Sequence, residues 1–335
     1  MGFTTFGEIM LRLTPSEHAG KINSAQNFGV HYAGSESNVA SSLAILKNQV
    51  QFVTKLPLNA VGDGAMRSLQ SFGISTGNIA RGGHRIGTYF IEIGSSIRPS
   101  SVVYDRAHSA ISEMTFGELD WETILKGQKW LFISGITPAL SKSCAEATLL
   151  VAKTARKMGV KVSFDMNFRR TLWKDKKDAR SIFDAILENT DLLFGNTGVL
   201  KDVYDMEVSG ANPIDQTISA IEKAKSTFGL EQLAFTVREH HSASENKLSG
   251  VALLNDKTTI SNSYNVEIID RFGTGDAFAA GFLHGLGQEW GLDKTLGFAT
   301  AAFALKHTIR GDQHTSTEEE ILSIFKGNIS GHVLR

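Results

Sequence analysis

Short apolar runs alternate along this chain with longer stretches in which apolar positions recur every three to four residues. The first pattern predicts strands and the second amphipathic helices. Residues 3–13 form a predicted first strand with Gly7 and Glu8 inside it. Residues 21–32 are less regular and leave room for a short strand, and helices over 39–46 and 62–72 enclose a strand over 50–55. Segments 85–93 and 101–106 alternate in polarity around a turn with Arg98-Pro99, which reads as a β-hairpin outside the strand–helix rhythm. From residue 129 the rhythm is regular. Strands are predicted over 130–134, 160–164, 192–194, 233–237, 250–254 and 264–269, and helices over 141–158, 178–189, 213–227, 276–286, 293–307 and 317–325. Such alternation predicts an α/β fold with a largely parallel sheet covered on both faces. Ligands then bind beyond the carboxyl ends of the strands, where Gly135, Asn167, Asn196 and the turn at Gly273 fall.

Composition narrows the function classes. A chain of 335 residues with 41% hydrophobic and 21% charged residues suits a single globular domain, expected to span 1–335. Its 34 basic and 35 acidic residues leave a net charge of −1, which argues against a nucleic-acid or membrane-surface partner. Cys144 is the lone cysteine and sits in helix-like sequence, so a buried small residue in a reducing, cytoplasmic setting is expected. His240-His241 lacks metal-ligand spacing and is expected in an exposed loop.

The stretch from Asp270 to Phe282 carries the chemistry. Gly273 and Gly275 bracket Thr274 between a predicted strand and an apolar helix. Such a turn leaves backbone N–H groups pointing outward at a helix N-terminus, which suits a phosphate. Asp276 is out of place there, because a carboxylate repels the anion those groups attract. It serves either as a helix cap or as the base for a hydroxyl attacking the phosphate. Donors for a migrating phosphoryl plus such a base are what phosphoryl transfer needs.

Residues 33–38 lead into the first helix, with Gly34 permitting close backbone approach and small polar residues capping. On the hairpin, Tyr104 and Arg106 share a face, as Tyr89 does with Ile91. Asp165, Asn167 and Arg169 leave a strand in step. Two converging arginines favour a carboxylate-bearing ligand; on spacing alone, surface salt bridges account for them equally well.

Asp270, Gly-Thr-Gly-Asp at 273–276, Ala-Phe and Gly281 resemble the C-terminal signature of the ribokinase-like (PfkB) carbohydrate kinases, and Gly34 with Asn38 resembles their N-terminal pattern. The segments 134–140 and 165–173, together with Tyr104-x-Arg106, are similar to the 2-keto-3-deoxygluconate kinase branch. The resemblance implies a ribokinase-like fold with a small β-sheet lid from segments near 14–33 and 85–110. It implies Asp276 as catalytic base and the turn Gly273, Thr274, Gly275 as anion hole. It implies substrate contacts at Gly34, Asn38, Tyr89, Tyr104, Arg106 and Arg169, and nucleotide contacts at Asn196, Thr236, Gly273 and Gly275. ATP and Mg2+ would be the cofactors and a sugar acid the acceptor. A neutral-ketose (fructokinase-like) kinase and a non-catalytic sugar-acid-binding protein are the alternatives. Departures fall at Arg271-Phe272 and Thr274, at 196–200, which lacks the usual glutamate, and at 236–242, which lacks the usual glycines. Lid strands with few helices nearby leave a sheet face and edges open, so a homodimer or larger assembly through the lid is expected.

Overall fold

Alternating apolar residues on the short strands send side chains into two separate cores. Phe3, Trp130, Phe132 and Phe194 belong to one, while Phe6, Leu131, Ile133 and Leu193 belong to the other. The computed structural model describes residues 2–17 and 20–329. Met1, residues 18 and 19 of the expected 14–33 segment, and residues 330–335 lie outside the described residues.

In chain order the elements are β1 (Gly2–Phe6), β2 (Met10–Pro15), β3 (Phe28–Ala33), α1 (Ser35–Ile45), β4 (Gln49–Val53), β5 (Lys55–Leu56), α2 (Ala60–Ser71), β6 (Ala80–Arg81), β7 (Thr88–Glu92) and β8 (Ser101–Asp105). Then come α3 (Trp121–Leu125), β9 (Trp130–Ser134), α4 (Lys142–Lys157), β10 (Lys161–Asp165), α5 (Lys176–Leu187), β11 (Leu192–Gly195), α6 (Thr197–Tyr204), α7 (Pro213–Phe228) and β12 (Gln232–His240). The remainder is β13 (Glu245–Leu254), β14 (Lys257–Ile260), β15 (Tyr264–Glu267), α8 (Thr274–Gly287), α9 (Leu292–Lys306) and α10 (Glu318–Phe325).

The main sheet has the order β14-β13-β12-β11-β10-β9-β1-β4, with β15 also on β13. Pairing is parallel from β4 to β12 and antiparallel among β12, β13, β14 and β15. Helices α1, α8 and α9 contribute Leu43, Phe282 and Phe298 to the first core. Helices α4, α5 and α7 contribute Val151, Phe183 and Ile221 to the second. This is the α/β arrangement expected from the strand–helix rhythm.

A second sheet has the order β3-β2-β7-β8. The expected hairpin is β7–β8, with Tyr89 opposite Tyr104. The predicted strand over 3–13 is corrected to two strands in two sheets. The chain breaks at Gly7, where a Cβ would lie 2.1 Å from the Glu36 carboxyl carbon. Apolar residues run on through the break because β1 is buried on both faces and β2 is in large part buried too, which hides it from a periodicity argument. Helix α6 and strand β14 were not expected; both are short, and Asn196 caps α6 by accepting from the Val199 N–H at 3.1 Å.

Candidate functional site

Beyond the carboxyl ends of β9, β10, β11 and β12 the chain encloses a cavity of about 630 Å³, with the start of α8 and the inner face of the smaller sheet in its wall. Gly34, Asn38, Tyr89, Tyr104, Arg106, Arg169, Asn196, Thr236, Gly273, Thr274, Gly275 and Asp276 all line it. The residues nominated from sequence are therefore brought together around one space.

Gly273 precedes α8 with φ 73°, and a Cβ there would stand 1.8 Å from the Asp312 carbonyl oxygen. Both the left-handed backbone and the close approach demand glycine. The space beside Gly275 is open, with no atom within 4 Å of a Cβ built there. Asp276 sits in the first turn of α8 and is buried. Its carboxylate accepts from Ser35 Oγ and from Asn38 Nδ2, each at 2.7 Å, and Asn167 Nδ2 in turn donates to Ser35 Oγ at 3.0 Å. Burial pushes the Asp276 carboxyl up to about 6 against the lowering pull of those two hydrogen bonds. Asp165, nearby, is pushed up to about 7 by burial and by Asp276.

Gly34 brings α1 against the chain that joins the two sheets. A Cβ on it would meet the Glu8 carbonyl oxygen at 2.0 Å. Tyr89 is buried, stacks on Tyr104 with ring centroids 6.0 Å apart, and donates to Asp312 at 2.9 Å. Arg106 is buried and ion-paired with Glu8, which also accepts from Ser109 Oγ at 2.9 Å. Its Nε has no hydrogen-bond partner. Arg169 is exposed at the cavity rim and its charge draws the Asp276 and Asp165 carboxyls down.

Several residues of the site escaped sequence reasoning. Arg12, buried on β2, pairs with Asp270 at 2.6 Å and with Asp312, tying the smaller sheet to the loops beside the Gly273 turn. Its signal was a charge on the inward face of an apolar strand, opposite Tyr89 in register. Glu36 accepts from Ser134 Oγ at 2.6 Å and Thr137 Oγ1 at 2.7 Å, and burial pushes it up to about 7. Arg238 and Arg271 also line the cavity. Burial, and then Arg271, push Arg238 down to about 10. Among the described residues no group of three or more His, Cys, Asp or Glu is placed to hold a metal ion, and His240 is exposed. Cys144 is buried and free. No helix of the described residues is long and apolar enough to cross a membrane.

The chain matches the profile of the pfkB family of carbohydrate kinases over residues 3–319. It is similar to a crystal structure of 2-dehydro-3-deoxygluconokinase from Thermotoga maritima, with 42% identity, a TM-score of 0.94, and 98% of this chain and 100% of that one covered. It is 30% identical over 328 residues to a 2-dehydro-3-deoxygalactonokinase of Haloferax volcanii, covering 98% of this chain and 97% of the relative. A 5-dehydro-2-deoxygluconokinase of Clostridium botulinum is 26% identical over 318 residues, 93% of this chain and 89% of its own length.

Proposed function

We propose that this chain, which belongs to the pfkB family of carbohydrate kinases, uses ATP to phosphorylate the sugar acid 2-keto-3-deoxygluconate, giving 2-keto-3-deoxy-6-phosphogluconate. The observation that carries the reading is Asp276, a buried carboxylate lining the cavity at the start of α8 and, among the described residues, in no ion pair. The terminal hydroxyl of the sugar acid gives its proton to Asp276. The freed oxygen bonds to the γ-phosphorus, and the bond from that phosphorus to the ADP oxygen breaks. Backbone N–H groups of residues 273–276 stabilise the charge on the migrating phosphoryl. Gly34, Asn38 and Tyr89 hold the sugar, while Tyr104, Arg106 and Arg169 meet its carboxylate. Asn196 and Thr236 line the nucleotide side. The donor set fits Mg2+ as a companion of the phosphates rather than in a protein cage, since no acidic cluster is present among the described residues; bound there, it neutralises phosphate charge. ATP use and a lone buried cysteine fit a cytoplasmic enzyme. The same reading extends to a homodimer through the outer face of the smaller sheet, which acts as a lid.

The test is an ADP-release assay across 2-keto-3-deoxygluconate, its C4 epimer and neutral ketoses. The Haloferax volcanii relative, named for the galacto acid, makes the epimer the necessary comparison. The sugar acid is expected to give the highest kcat/KM. A neutral ketose matching it would transfer the assignment to a fructokinase-like enzyme, and no turnover of any acceptor would favour a binding protein.

A further inference from the structure

Three buried or largely buried arginines face the cavity region, and they differ in what balances them. Arg12 has Asp270 and Asp312, and Arg106 has Glu8. Arg238 has no such partner: among the described residues no carboxylate lies within 4.0 Å of it or of its neighbour Arg271. Arg238 Nη2 donates to Thr274 Oγ1 at 3.1 Å, and its guanidinium carbon lies 5.4 Å from the centre of the Phe303 ring. Arg271 Nη2 donates to the Ala243 carbonyl at 2.8 Å. Each guanidinium is therefore held by one hydrogen bond to a neutral acceptor, that of Arg238 also by the Phe303 ring, and keeps further donors for a ligand.

Two like charges close together, Arg238 largely buried and Arg271 partly so, with no carboxylate beside them among the described residues, are unfavourable without an anion. Their place specifies the anion. Thr274 is the residue between the two glycines of the turn, so Arg238 is anchored to the loop at the α8 N-terminus, where the first backbone N–H groups of a helix lack intrahelical partners and suit an anion. The space beside Gly275 is open to receive a ligand. Asp276 is held from α1 through Ser35 and Asn38, whereas Arg238 reaches the turn from β12. Acceptor and donor groups thus approach one turn from different elements.

We propose that Arg238 and Arg271 form a polyphosphate subsite that binds the β- and γ-phosphates of the nucleoside triphosphate, with Thr274 holding Arg238 in place. This rests on reading the protein as a nucleotide-dependent kinase. Guanidinium forks match phosphate oxygens, and such charge-assisted bonds are among the stronger polar contacts.

The test is calorimetric titration of ATP and of AMP, without sugar, into the wild-type protein, Arg238→Met, Arg271→Met and Arg238→Lys. A charge-assisted bond is worth about 1.5–3 kcal/mol, so each Met variant is expected to lose roughly tenfold or more in ATP affinity and nothing in AMP affinity. Arg238→Lys is expected to recover part of the loss. Ligand-free Arg238→Met should melt no lower than wild type, because an uncompensated charge has been removed, while its melting temperature rises less with ATP. ATP affinity unchanged in both Met variants would overturn the proposal. Equal losses for ATP and AMP would overturn it too, since they would mean a structural role. Wild-type protein that binds ATP but turns over no sugar acid would sink the acceptor assignment and leave this subsite standing. Failure of the wild type to bind ATP would end both.

Discussion

The Asp276 carboxylate is poised by two opposed effects. Hydrogen bonds from Ser35 and Asn38 favour the anion and burial disfavours it more, leaving the group at about 6. It is thus mostly ionised at neutral pH yet basic enough to accept a proton. The free-enzyme kcat/KM is expected to fall on the acid side with a limb near pH 6, and a flat profile between pH 5 and 8 would remove Asp276 from the proton transfer. Asp276→Asn is expected to fold and bind sugar by calorimetry while losing turnover by roughly 10²–10⁴-fold. Glu36 carries the same physics into stability. Its folded-state value, about 7, lies above its ordinary 4.5 because of burial, and its Oε2 has no partner. A carboxyl whose folded value is raised gives stability that is complete below about 4.5 and is lost as pH rises through about 7. Urea unfolding at pH 5 and pH 8 should show wild type weakening with pH and Glu36→Gln weakening less. Equal slopes for the two proteins would refute this.

At the scale of elements, the junction between β1 and β2 and the end of β8 meet through Glu8 and Arg106. Arg106 is therefore not a free guanidinium waiting for substrate; Glu8 holds it through Nη2, with Nε left over. Arg106→Ala is expected to lower kcat/KM for the sugar acid by roughly 30-fold to a few thousand-fold and to leave a carboxylate-free analogue almost unchanged. Because the variant strands Glu8 in the interior, Arg106→Ala paired with Glu8→Gln should recover stability without recovering the sugar acid. Equal losses on both substrates would make the pair a junction clamp only. The legibility of the chain follows the same elements. Strands β9 to β12 were readable because each alternates between two cores, as Trp130 to Ser134 does. The glycine turn was readable because Gly273 has steric and dihedral reasons to be glycine. The two-strand break at Gly7 was not, since the reason is a distant contact with Glu36. Neither were the partners of Arg12, Arg106 and Arg238, which come from 300, 98 and 36 residues away; periodicity reports which face a side chain takes, not what waits there.

For the whole molecule, the question is what covers the outer face of the smaller sheet. Registry aligns Val30 with Leu13, Leu13 with Phe90, and Phe90 with Val103, an apolar row across all four strands. Phe28 extends it, packing edge-on against Phe90 with centroids 5.9 Å apart. Val30 and Val103, at the two ends of the row, are 56% and 53% exposed. β-branched residues on both edge strands of an uncovered face are the opposite of the charges that usually guard such edges. The inner face of the same sheet faces the cavity through Met10, Tyr89 and Tyr104, so it is the outer one that is left for a partner. A second copy is the expected occupant, because the row is close to symmetric about its middle, with one exposed valine at each end, and a two-fold interface needs one patch complementary to itself. Light scattering at micromolar concentration is expected to give a dimer, and Val103→Lys, which places a charge on the row without touching the cavity wall, is expected to give a monomer. If the sheet must be held by its twin to close over the sugar, that monomer should also show a raised KM for the sugar with ATP binding unchanged. A wild-type monomer, or a Val103→Lys dimer of undiminished stability, would show that this face stays bare.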